Sequence, residues 1–291
     1  MAIIRIYSET MENWSSRIDI SHPVWGDFRA RLLELRGDSF PGAQELSLQL
    51  PAGLCSRGGS PIRFTPAGEL PGVDYEKHIF STGQVSTRED NWHDLFNALV
   101  WSRFPALKVA MNAVHFDNLG SGGEGNRGKE RDALTLFDES GVIVCSHRKE
   151  YLDLLAEREW GTIFQAEARA WEDDIRVFVV GHALLEKFLQ PYKSLTAHAL
   201  LLHLDEALHE QPRGTLLPSL DELLAEQLLA GSMLDSPASL SPLPLMGIPG
   251  WWSAGEQDDE FYADQKVFRP LREGSAIAPV FCCRSELCSR L

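Results

Sequence analysis

The 291-residue chain is 44% hydrophobic, 9% aromatic and 24% charged, a composition that buries a full core and excludes disorder as the main state. Its formal net charge of −15 opposes non-specific binding to duplex DNA or an anionic bilayer, since such binding rests on Lys and Arg neutralising phosphates. The start, MAIIRIYSETMENW, lacks the basic, apolar and small-residue regions of a secretory signal, and no apolar run nears the ~20 residues that span a membrane. Five cysteines at irregular spacing, Cys55, Cys145, Cys282, Cys283 and Cys288, read as reduced thiols, so a cytoplasmic location is expected.

Residues 1–19 read as an N-terminal segment, 20–272 as one domain and 273–291 as a Cys-containing tail. Residues 15–48 predict helix with a loop, and the Pro/Gly-rich 51–74 predict extended chain and turns. A helix over 88–103 follows, capped at Thr87, with Trp92, Leu95, Phe96 and Leu99 at i, i+3, i+4 and i+7 as its core stripe. Phe104-Pro105 ends it, and a second helix covers about 106–115 with Leu107, Met111 and Val114 inward. The Gly-rich loop 117–131 comes next. ALTLFDESGVIVCS predicts a hairpin over 134–146, two apolar runs around Asp138-Glu139-Ser140-Gly141.

A helix over 149–158, a buried strand IRVFVV (175–180), a short helix HALLEKFLQ and a strand AHALLLHL (197–204) follow. The last helix covers 219–230, and SPASLSPLPLMGIPGWW is extended. There are no internal repeats. The expected fold is α+β: a single domain with a mixed or antiparallel sheet, its hairpin packed against several helices, and helix 88–103 across it.

Side chains three or four apart share a helix face. His93 and Asn97 therefore lie together beside the Trp92/Phe96 stripe, and Lys108, Asn112 and His115 share a face of the next helix. A bend at Phe104-Pro105 brings the two faces together, so the set predicts one concavity. Buried polar groups need partners; the set serves either as a satisfied internal network or as a wet pocket.

The loop matches two phosphate-binding patterns, Gly120-x-Gly122-x-x-Gly125 and Gly123-x4-Gly128-Lys129. Both need a strand before and a helix after. Here a helix precedes and a strand follows, and Glu130 occupies the Ser/Thr position, so neither nucleotide fold is expected. Arg127, Lys129 and Arg131 remain as an anion grip, within a stretch (88–131) of six basic and six acidic residues. His182 and Glu186, i and i+4 after a strand, read first as a surface pair and second as ligands. No HExxH, Cys-x2-Cys or Gly-x-Ser-x-Gly occurs. The terminal Cys282-Cys283-x4-Cys288 has no second cluster to complete a metal site.

The first functional expectation is a metal-assisted hydrolase acting on a small anionic or phosphorylated substrate. Its metal ligands or acid–base groups are His93, Asp94, His115, Asp132 and His182, and its ligand-binding residues are Asn97, Lys108, Asn112, Arg127, Lys129 and Arg131. The cofactor is a divalent metal of open identity, which lowers the pKa of bound water to ~7. The second expectation is a non-catalytic protein-binding or regulatory module using the acidic surface and tryptophans. A third, nuclease-like action, loses support from the charge.

The chain also resembles a known family. TREDNWHDLFNALVWSRFPALKVAMNAVH (87–115), RDALTLFDESG (131–141), GHALLEKFLQPYKSLTAHAL (181–200), PLPLMGIPGWW (242–252) and FYADQKVFRPLR (261–272) resemble the bacterial family catalogued as domain of unknown function 3025. The likeness covers roughly residues 20–272. It implies a soluble bacterial protein and transfers no catalytic residue.

Overall fold

The structure, a computed structural model, describes residues 14–68, 74–119, 126–231, 233–253 and 255–283. It begins with α1 (Arg29–Glu34) and α2 (Ala43–Ser47), then β1 (Arg63–Pro66), α3 (Tyr75–Thr82) and β2 (Gln84–Thr87). Next come α4 (Trp92–Arg103), α5 (Pro105–Asp117) and α6 (Asn126–Ser140), which runs directly into β3 (Gly141–Ser146). After α7 (Lys149–Glu157) and α8 (Ala170–Asp173), β4 (Arg176–Val179) leads to α9 (His182–Lys187) and β5 (Thr196–Leu204). The remaining elements are α10 (Glu206–His209), α11 (Arg213–Leu229), β6 (Ser241–Pro244), α12 (Asp259–Tyr262) and β7 (Val280–Cys283).

β1 and β2 pair in parallel as a small sheet. The main sheet is mixed: β3 runs antiparallel to β4 and parallel to β5. β6 and β7 share the far edge of β5, β6 antiparallel along Thr196–Ala199 and β7 parallel along Leu201–Leu204. All six residues of β3 are buried, as an apolar run covered on both faces should be, and α6 and α7 each pack on β3 and β5. The fold is α+β.

Several local expectations are corrected. Residues 126–131 are not loop and 134–146 are not a hairpin: Asn126–Ser140 form one helix, α6, so a helix, not a strand, follows the Gly-rich stretch, and its Ala133, Leu134 and Phe137 are fully buried at helical spacing. The short run LTLF fits either period, and helical burial wins. Residues beyond 272 are more than a tail, since β7 belongs to the sheet; Cys288 lies outside the described residues.

Thr87 ends β2 instead of capping α4. The cap is Asn91, whose side chain accepts from the Asp94 N–H at 3.0 Å. The main neighbours of α4 are α9, α5 and α2, where packing across the sheet was expected. At Phe104, fully buried, α4 hands over to α5, with Pro105 in the first helical position. Asp221 on α11 then accepts the Ala106 and Leu107 N–H groups at 3.0 and 2.8 Å, fixing where α5 starts. Among the described residues no helix is long and apolar enough to cross a membrane.

Candidate functional site

The bend at Phe104 turns the polar faces of α4 and α5 toward one another, around a cavity of about 480 Å³. His93 and Asn97 from α4 line it with Lys108, Asn112 and His115 from α5, and so do Asp94, Arg131 and His182. Three expected residues are not among them. Asp132 and Lys129 are exposed on α6, Asp132 lying one residue, about 100° of helix, from Arg131. The side chain of Arg127, and the glycines from 120 to 125, lie outside the described residues.

The centre of the site is a pair of imidazoles. His93 Nε2 and His182 Nε2 stand 3.0 Å apart, and Glu139 Oε2 lies 3.8 Å from His182 Nε2. One ligand atom from each of His93, Glu139 and His182 falls within 4.8 Å of the others, an arrangement able to hold a metal ion. Each ring has a carboxylate behind it: Glu186 Oε2 lies 3.4 Å from His93 Nδ1 and Asp138 Oδ2 lies 3.8 Å from His182 Nδ1. Glu186 favours a proton on His93 Nδ1, which leaves His93 Nε2 bare. His182 Nδ1 is buried without a hydrogen-bond partner, with a carboxylate 3.8 Å from each of its nitrogens. Glu186 thus serves His93 on α4, not His182 on its own helix.

Chain geometry produces this meeting. β4 ends where β3 begins, and Gly181 N–H donates to the Gly141 carbonyl at 2.8 Å. A Cβ at Gly181 would lie 2.5 Å from Gly141 N and 2.7 Å from the Glu139 carbonyl oxygen. Only glycine permits that approach, which sets His182 against the last turn of α6.

The electrostatics follow from burial. His182 is pushed down to about 4, chiefly by burial, against the pull of Asp138. Burial also raises the Glu139 carboxyl and lowers the His115 imidazole. Burial would raise Asp138 too, but Lys108 Nζ, 2.5 Å from its Oδ1, and His182 outweigh it and hold the carboxyl below the usual range. Glu76, which receives the Asn112 amide N–H at 2.6 Å, is pushed up to about 7 by burial. Asp94 is engaged elsewhere: Arg88 grips both its oxygens at 2.8 and 2.9 Å, so its role is to fix the rim.

Sequence reasoning missed Glu76, Asp138 and Glu139. The Asp138-Glu139 pair carried a turn signature, and Glu76 meets Asn112 across a separation of 36 residues that no local pattern reveals. No curated protein and no solved structure matches the chain. A family model described as "Protein of unknown function (DUF3025)" matches residues 62–272, a span that contains every lining residue of the cavity. The chain belongs to the DUF3025 family.

Proposed function

We propose that the protein is a metal-assisted hydrolase acting on a small anionic or phosphorylated substrate in the cavity between α4, α5 and α6. The observation that carries this reading is the facing of two Nε2 atoms and a carboxylate oxygen, one ligand atom from each residue within 4.8 Å of the others, with a further carboxylate near each ring. The two Nε2 atoms, 3.0 Å apart, are placed to share either a proton or a cation between them. His93, Glu139 and His182 would hold a divalent ion there, which would supply a Lewis acid able to activate water near neutral pH. Three protein ligands leave a coordination position for water or substrate, and the cavity lies beside them.

The residues around the triad divide the remaining work. Asp138 and Glu186 orient the imidazoles, and Lys108 holds Asp138 in place. Glu76, with its raised pKa, supplies a proton to a leaving group. The lining has five carboxylates (Asp74, Glu76, Asp94, Asp138, Glu139) against Arg88, Lys108 and Arg131. A divalent ion brings it to formal balance, and protonation of Glu76 tips it positive, which supports an anionic substrate with Arg131 as the contact at the mouth. A cytoplasmic location belongs to the same proposal, supported by the reduced thiols of Cys55, Cys145 and Cys282.

The first test is metal analysis and calorimetric titration of the full chain with zinc and manganese, beside hydrolysis of an aryl phosphate probe. One equivalent should bind at the triad and disappear in His93→Ala and in Glu139→Gln, with metal-dependent turnover lost in both. A folded protein that takes up no divalent ion at this triad returns the molecule to the class of non-catalytic binding modules.

A further inference from the structure

At the other end of β3 stands a second imidazole pair. β3, β5 and β7 run parallel, and their carboxyl ends gather His147, His203 and Cys282. Open α/β sheets place ligands at this edge of parallel strands. His147 follows the last residue of β3, while His209 ends α10, reached from β5 by a turn of one residue. The two Nδ1 atoms are 3.1 Å apart. β3 spans six residues, so this pair is separated from the cavity by roughly 20 Å of strand.

The outer nitrogens decide what the inner ones can do. His209 Nε2 is 2.8 Å from the Asp174 carbonyl oxygen. A carbonyl only accepts, so the proton of the neutral ring is on Nε2 and its Nδ1 is a bare lone pair. His209 is buried, and burial favours that neutral form. His147 then has two choices. With its proton on Nδ1 it donates to His209, and its bare Nε2 lone pair then faces an Asp174 carboxylate oxygen at 3.8 Å, the other oxygen of which has Arg148 at 3.7 Å. With its proton on Nε2 the ring turns that proton toward the carboxylate, and two bare Nδ1 atoms face each other. His203 keeps the pair in place by donating from Nε2 to the His147 carbonyl at 3.0 Å.

We propose that His147 and His209 bind a divalent transition metal, of the zinc and copper class that imidazole suits, through their Nδ1 atoms. The ion resolves the conflict, because His147 then carries its proton at Nε2 toward Asp174, and the Asp174 carbonyl and carboxylate become the groups that orient both rings. A doubly protonated His147 resolves it as well, and the test separates the two.

This site stands independently of the cavity. Titration of the full chain with zinc should give two equivalents for wild type. His147→Ala and His209→Ala should each lose one, and His93→Ala should lose the other. His209 is buried, so its variant is read only beside a thermal melt; the partly exposed His147 decides the matter. Copper(II) added to His93→Ala protein should show nitrogen hyperfine structure from two imidazoles, absent once His147→Ala is added. A single wild-type equivalent that vanishes in His93→Ala and is untouched by His147→Ala overturns the proposal while leaving the cavity reading intact. A single equivalent with the opposite response supports the strand-end site and removes the cavity's metal.

Discussion

Glu76 is the residue on which pH should act most clearly. Its folded pKa of about 7 stands above its ordinary 4.5 because burial penalises the carboxylate. Between those values the folded state holds a proton that the unfolded chain has released. The group therefore costs no stability below 4.5, a growing amount as pH rises to about 7, and a constant amount above that. Glu76→Gln should raise the melting temperature above about pH 7, by at most about 3 kcal/mol in stability, and leave it unchanged below 4.5. A gain that is equal at both ends would show that titration of Glu76 is not the cause. At this scale the sequence was partly legible. His93, Asn97, Asn112 and His115 come together because i, i+4 spacing and a proline bend are local facts. The partners that give them chemical character, Asp138 and Glu186 among them, arrive from other elements and leave no trace in spacing.

Among the elements, the junction of β4 with α9 holds the site in register. The strand IRVFVV and the helix after it are readable from an apolar run, a glycine and a proline. The reason for that glycine is not, because it lies in the backbone of α6 and β3. Gly181→Ala should cost about 1–3 kcal/mol, as overpacking against backbone does, since its Cβ would fall within 2.7 Å of atoms of three residues. Relief by displacement of α9 would carry His182 away from Glu139. The same variant should therefore weaken metal uptake, seen by titration beside a thermal melt. If it melts and binds as wild type does, α9 has freedom that the packing denies it. α6 shows the opposite limit: LTLF before Asp138-Glu139-Ser140-Gly141 satisfies strand and helix alternatives locally, and only burial of Phe137 under the sheet chooses.

Across the whole molecule, the α+β class was legible from the alternation of element types, while strand order was not. β7 joins β5 from the far end of the chain, with Leu202 opposite Phe281 and His203 opposite Cys282, and no sequence pattern announces a pairing of that range. Removing residues 280–291 should uncover the β5 backbone along Leu201–Leu204 and lower the melting temperature by several degrees; a truncated chain that melts with wild type would make β7 an accessory. β6 closes the other half of that edge differently. Leu245 N–H bonds to the Leu195 carbonyl at 3.0 Å, so alternation turns Leu243 inward and leaves Pro242 and Pro244 with their nitrogens outward. A proline nitrogen has no hydrogen to give. A strand from a second molecule laid along that rim meets no N–H donor at two successive outward positions, so growth of the sheet into strand-exchanged dimers or fibres is blocked there.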